Sequence, residues 1–116
     1  MKETTAKLRY LRMSPRKVRL LTDAIRGLTV AQALAQLQFS DKTAARPIRK
    51  LLQSAVANAL HNDHLQEATL RVVRSVVDGG PMAYRFKPRA FGRAAPIRRR
   101  TAHVTIVLAG EEEKKI

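Results

Sequence analysis

The chain has 116 residues, and its 23 Lys+Arg against 9 Asp+Glu give a formal net charge of +14, so a polyanion is the first partner to consider. At 45% hydrophobic residues it is too apolar for a charged disordered tail, and at this length it is too short for a second core. It contains no Cys, which excludes a disulfide scaffold, a Cys-ligated zinc finger and a thiol nucleophile; its most apolar uncharged run, Thr101–Gly110, is about half of the roughly 20 residues a spanning helix needs.

Met1 to Lys7 has no apolar stretch behind its first positive charge, so no secretory signal is expected. Thr4–Tyr10 mixes Thr, Leu and Tyr with Lys and Arg and predicts an exposed strand. A helix follows over about residues 15–26. Ser14-Pro15 supplies its N-cap and first position, Val18, Leu21 and Ile25 share one face, and Gly27 stands where a left-handed cap belongs. Thr29 and Gln32 have capping-box spacing for a second helix, with Val30, Ala33, Leu34 and Leu37 on one stripe and Phe39 closing it. Ser40 or Asp41 can cap a third, longer helix carrying Ile48, Leu52, Ala55, Val56 and Ala59, in which Pro47 sets a late start or a kink. The Asn58-to-Asp63 stretch ends it.

From Ala68 to Asp78 the chain turns β-branched, but its alternation is imperfect, which predicts a bulge or a strand covered on both faces. Thr101–Ala109 alternates cleanly, with Ala102, Val104, Ile106 and Leu108 facing one way, and reads as a half-buried strand. The Glu-Glu-Glu-Lys-Lys tail is expected to be disordered.

The charge is unevenly placed: +6 over residues 1–40, +2 over 41–78, +7 over 79–110 and −1 over 111–116. Arg outnumbers Lys by 15 to 8, and the planar guanidinium suits phosphate oxygens and stacks on bases. The 22 residues Gly79–Arg100 between the two later strands hold no acid and three of the five aromatics, Tyr84, Phe86 and Phe91. Loops this long inside compact domains are uncommon. Arg and Lys neutralise phosphates while aromatic and guanidinium planes stack on unpaired bases, so this stretch reads as an RNA-contacting arm. Continued outward as a ribbon at roughly 3.3 Å per residue, it would reach about 30 Å beyond the domain. A lone two-stranded ribbon is marginal in water, so it is expected to be mobile when free and ordered when bound.

Arg12-Met13-Ser14-Pro15-Arg16-Lys17-Val18-Arg19 with Asp23-Ala24-Ile25-Arg26-Gly27 resembles the opening helix of the bacterial L twenty-two family of large-subunit ribosomal proteins. Ser54-Ala55-Val56-Ala57-Asn58-Ala59 before His61-Asn62 is similar to that family's long helix. Pro88-Arg89-Ala90-Phe91-Gly92-Arg93-Ala94, Ile97 and Arg99-Arg100-Thr101-Ala102-His103-Val104-Thr105 resemble its hairpin and final strand. The chain departs from the family at Gly79, where Glu is usual, and at Ala102, where Ser is usual.

The resemblance implies an α+β fold, a small antiparallel three-stranded sheet packed against three helices, with a long protruding β-hairpin. It implies a single domain: a globular part over about 1–78 and 101–110, a hairpin over about 79–100 and a tail at 111–116. It also implies a cytoplasmic structural constituent of the large ribosomal subunit. Such a protein binds 23S ribosomal RNA, supports its assembly, neighbours other large-subunit proteins and lines the nascent-peptide exit tunnel with the hairpin, so the nascent polypeptide is a further partner.

Carried over by position, Pro88, Arg89, Ala90, Phe91, Gly92 and Arg93 form the tunnel-lining tip. The candidate rRNA-binding residues are Arg12, Arg16, Lys17, Arg19 and Arg26 around the first helix, Tyr84, Arg85, Lys87, Arg89, Arg93, Arg98, Arg99 and Arg100 along the hairpin, and His103 after it. No catalytic residue, metal, cofactor, membrane insertion or homo-oligomer is expected. His61 and His64 lack a third ligand and read as a polar helix end, and His103 lacks the positioned partners a ribonuclease needs. A general nucleic-acid chaperone and a membrane-active cationic protein are the alternatives. The first has no need of the ordered Pro-, Gly- and aromatic-bearing hairpin motif, and the second would want an amphipathic helix in its place.

Overall fold

The computed structural model describes residues 2–81, 83–88 and 94–112, with 83–88 and 94–99 described by their backbone. The chain runs β1 (Lys2–Leu11), α1 (Pro15–Ile25), α2 (Val30–Phe39), α3 (Ala45–His61), a 3-10 turn (Glu67–Thr69), β2 (Arg71–Gly79), β3 (Ala83–Pro88), β4 (Ala94–Arg99) and β5 (Ala102–Gly110). β5 is the central strand of an antiparallel sheet of order β1-β5-β2, and β3 pairs with β4 in a separate two-stranded ribbon. This is the expected α+β architecture, three helices on a three-stranded antiparallel sheet.

Sequence alternation decides which sheet face meets the helices. Thr4 and Ala6 of β1, Val72, Ser75 and Val77 of β2, and Ala102, Val104, Ile106 and Leu108 of β5 are all buried. α3 packs across β1 and α1 across β2, while α2 is held through α3. Ile25, Ile48, Leu52, Leu65 and Leu70 complete a core in which, among the described residues, no aromatic takes part. Ala33, Ala45, Ala55 and Ala59 are buried where larger side chains would hold the helices apart. The aromatics Tyr10 and Phe39 are exposed.

Local chemistry sets the element ends. In α2 the Thr29–Gln32 capping box forms as its spacing predicts, Gln32 N–H donating to Thr29 Oγ1 at 3.3 Å and Thr29 N–H to Gln32 Oε1 at 3.4 Å. Gly27 is left-handed (φ 84), but as the third residue of a type II turn rather than a cap directly on the helix. Arg26 (φ −63, ψ 130) precedes it, and Leu28 N–H donates to Ile25 O at 3.2 Å.

α3 does not start from Ser40 or Asp41. Its N-cap is Ala44, without a side-chain cap. Pro47 is then the third helical residue, where no intrahelical N–H bond is required; a start near 41 would have needed one there. Ser40 Oγ instead accepts from Lys42 N–H at 3.3 Å.

The imperfect alternation of β2 is a bulge. Its register against β5 shifts between Val72 and Arg74, turning Val73 to the surface while Val72, Ser75 and Val77 stay inside. The strand's outer edge is also occupied. Gly27 N–H donates to Val72 O (2.7 Å), Val72 N–H to Leu28 O (2.9 Å) and Val30 N–H to Leu70 O (3.2 Å). Further along, Arg26 Nη2 donates to Ser75 O (2.8 Å) and Arg19 Nη2 to Val77 O (3.0 Å). An edge covered in this way is a poor template for a foreign strand.

The expected disordered tail is tied down at its start. Gln66 N–H donates to Glu111 O at 2.8 Å, Glu111 N–H to Thr69 Oγ1 at 2.9 Å, and Glu112 bridges Leu65. The rest of that expectation falls on residues outside those described.

The β3–β4 ribbon prolongs the β2–β5 pair. Gly79 opposes Ala102, and the register resumes at Ala83 opposite Arg99. It stretches the molecule to 75 × 25 × 17 Å and raises the radius of gyration to 17.8 Å, against about 13 Å for a compact chain of this length.

Candidate nucleic-acid interface

The first basic surface begins at the N-terminus of α1. Ser14 occupies the N-cap position in extended backbone (φ −63, ψ 130), and Pro15 follows as expected, yet the Ser14 hydroxyl makes no capping hydrogen bond and no acid lies in the first turn. Exposed Arg16 and Lys17 stand there instead, with exposed Arg12 just upstream. A helix start is the positive end of the peptide dipole. Two cations on it are a poor choice for an isolated protein and a good one for a site that meets an anion.

The ribbon's neck lies beside this helix start. Gly80 N–H donates to Thr101 O at 3.0 Å and Thr101 Oγ1 to Pro81 O at 2.6 Å. A Cβ on Gly80 would collide with Thr101 Oγ1 and come within 3.1 Å of His103 Nε2, so glycine is required for the close approach. Between neck and helix is a recess of about 200 Å³ that brings together Arg16, Arg19 and Arg100 over the backbone of Gly79 and Gly80, with no acidic side chain.

The other expected RNA-contacting residues fare differently. Arg26 divides its guanidinium between Ser75 O and Asp23 Oδ1 (2.9 Å), and Arg19 holds Val77 O. Both therefore do structural work at the β2 edge, whatever else they touch. His103 packs on the sheet surface, its Nδ1 accepting from Tyr10 N–H at 3.1 Å and its ring edge-on to that of Tyr10, with centroids 4.9 Å apart. Along the ribbon, Tyr84 opposes Arg98, Arg85 opposes Ile97, Lys87 opposes Ala95 and Arg99 opposes Ala83. Arg89, Ala90, Phe91, Gly92 and Arg93 lie outside the described residues; Pro88 ends β3. His61 and His64 are exposed, and among the described residues no three potential metal ligands converge.

Lys7, Arg9, Arg71 and Arg74 were not among the expected contact residues, yet all four are exposed on strands β1 and β2 and none forms an ion pair among the described residues. The alternation of Thr4, Ala6 and Leu8 with Thr5, Lys7 and Arg9 was the sequence signal for the first two. The β2 bulge obscured Arg74.

The fold defines the class, an elongated α+β domain with exposed arginines around its core and a ribbon whose sequence is rich in Arg and Lys. The family model for ribosomal protein L22p/L17e matches residues 6–109, and the chain belongs to that family, a structural component of the large ribosomal subunit. Its relatives include the large ribosomal subunit protein uL22 of Desulfitobacterium hafniense (strain Y51), 51% identical over 97% of this chain and 99% of that one. The uL22 proteins of Synechococcus sp. (strain JA-2-3B'a(2-13)) and Microcystis aeruginosa (strain NIES-843 / IAM M-2473) are each 51% identical, over 96% and 92% of this chain and 90% of each relative.

Proposed function

We propose that the chain acts in the cytoplasm as a single domain of the large ribosomal subunit, binding its 23S rRNA and supporting its folding. In this reading the ribbon reaches inward and its tip, residues 88–93, lines the nascent-peptide exit tunnel. Neighbouring large-subunit proteins and the nascent polypeptide are the remaining partners. The observation that carries the proposal is the acid-free recess of Arg16, Arg19 and Arg100, which joins the helix start to the ribbon's neck. One RNA segment can follow that surface from domain to arm without meeting a carboxylate.

Lys17 and Arg12 extend the same surface at the helix, and Tyr84, Arg85, Lys87, Arg98 and Arg99 extend it along the arm by phosphate neutralisation and stacking. Among the described residues no third strand pairs with the ribbon, so amide protection at residues 84–87, 94, 95, 97 and 98 should rise on RNA binding.

The test is binding of full-length protein to large-subunit rRNA and to scrambled RNA of equal length at physiological salt, with crosslinkers at positions 89, 91 and 93 in assembled subunits. Preference for the cognate RNA, a slope of log K on log salt of about −4 to −5 for half a dozen neutralised phosphates, and crosslinks to tunnel RNA and nascent chain are expected. Equal affinity for scrambled RNA, or crosslinks confined to the subunit surface, would overturn it.

A further inference from the structure

The helices cover one face of the β1-β5-β2 sheet and leave the other without a covering element among the described residues. The register sets Lys7, Thr105 and Val76 in one row across this open face, and Thr5, Val107 and Arg74 in the next. At the end nearer the ribbon β1 bulges: its register against β5 shifts between Leu8 and Leu11, so Arg9 and Tyr10 share the place opposite His103.

Tyr10 pays there with a left-handed backbone (φ 59) that L side chains rarely adopt. Its N–H bond to His103 Nδ1 and the edge-on contact of the two rings hold it. The outcome is an aromatic ring left 63% exposed. A constrained backbone that presents an aromatic to solvent, where the core among the described residues uses none, is a feature that suits a ligand.

The ring borders a recess of about 280 Å³ lined also by Lys7, Arg9, Asp78, His103 and Thr105. Its charges are mixed in an informative way. The Asp78 carboxylate disfavours a phosphate, or an acidic peptide, inside the recess, but can accept hydrogen bonds from the exocyclic amino group of a base. Lys7 and Arg9 at its wall, and Arg74 one row away, supply cations for the phosphates on either side.

We propose that this open sheet face binds a single-stranded RNA segment, one base stacking on Tyr10 and the flanking phosphates meeting Lys7, Arg9 and Arg74. The site adds an RNA surface to the function proposed above and requires neither the ribbon nor the recess beside α1. Base stacking on an aromatic platform tolerates many sequences, and Asp78 adds a preference for cytosine or adenine over uracil.

The test uses the full-length chain with octamers of cytidylate and uridylate, read by fluorescence anisotropy and by backbone amide shifts. It is run on the parent and on an Arg98→Gln/Arg99→Gln/Arg100→Gln background, so that failure of the arm and failure of the open face are seen separately. Tyr10→Asn, which tolerates the left-handed backbone, should weaken cytidylate binding about tenfold while leaving the unfolding midpoint unchanged or higher. Tyr10→Phe should bind as the parent does.

Lys7→Gln/Arg74→Gln should flatten the salt slope by about 1.4. The amide shifts should centre on Lys7, Tyr10, Val76 and Thr105 in both backgrounds. Parental affinity in Tyr10→Asn, shifts confined to α1 and the neck, or a poly-glutamate peptide shifting the face as strongly as RNA would each overturn the proposal, the last in favour of a protein partner.

Discussion

Gly27 and Gly80 are both needed as glycine, for opposite reasons, and the difference is measurable. Gly27 sits at φ 84 with nothing within 4 Å of where a Cβ would stand, so the cost of Gly27→Ala is purely a backbone cost. That is about 1 kcal/mol, and a urea melt should show it as a lower midpoint with an unchanged slope. Gly80 has no positive φ, but its Cβ would strike the Thr101 side chain and crowd His103. Gly80→Ala should therefore alter the neck: the amide resonances of Thr101, His103 and Tyr10 move, those of α3 stay, and affinity for large-subunit rRNA falls because the arm leaves the domain at a different angle. If α3 resonances moved as far as those of the neck, the steric argument would be wrong.

Between elements, the arginines of α1 and its C-cap divide into two kinds. Arg26 bonds Ser75 O and Asp23 and closes the edge of β2; Arg16 lines the recess and forms no ion pair among the described residues. Arg26→Gln should lower stability by about 1 kcal/mol, since it loses a charge-assisted bond at a half-exposed site, with little effect on RNA affinity. Arg16→Gln should do the reverse, keeping the unfolding midpoint and weakening RNA binding with a flatter salt slope. Measuring both quantities on both variants checks the division, and identical profiles would refute it.

The sequence alone could not separate the two, because their composition and helical spacing are alike and only the path of β2 beside α1 distinguishes them. Elements governed by local chemistry were legible: the Thr29–Gln32 box, the Pro15 start, the alternation of β5. Those governed by neighbours were less so. Val73 could be read as a bulge but not as the turning point that brings Ser75 inward to donate to Thr22 O. The start of α3 had two candidate caps, Ser40 and Asp41, and the proline at the third helical position overrode them. The open sheet face went unread because Tyr10, Lys7 and Arg74 acquire a common surface only through a register fixed by β5.

At the scale of the whole molecule, half of the net charge lies on the connection between β2 and β5. The segment 81–100 carries seven of the basic side chains and no acid, and the buried cluster of the described residues runs from Ala6 to Leu108 through the three helices and the β1-β5-β2 sheet. Replacing residues 81–100 by Asn-Gly would join Gly80 to Thr101, already bonded N–H to O at 3.0 Å, through the two-residue turn that suits the twist of paired strands. The shortened chain should fold with an unfolding free energy within about 1 kcal/mol of the parent's, since the pairing removed is that of a separate two-stranded ribbon. Its net charge drops from +14 to +7. If all seven lost cations neutralise phosphates in the complex, the slope of log K on log salt flattens by about 5 to 6, and the residual affinity is that of α1 and the sheet face. A chain that fails to fold would make the ribbon part of the domain's stability; one that folds and keeps its full salt slope would remove the ribbon from the RNA interface and leave the domain's own arginines to carry it.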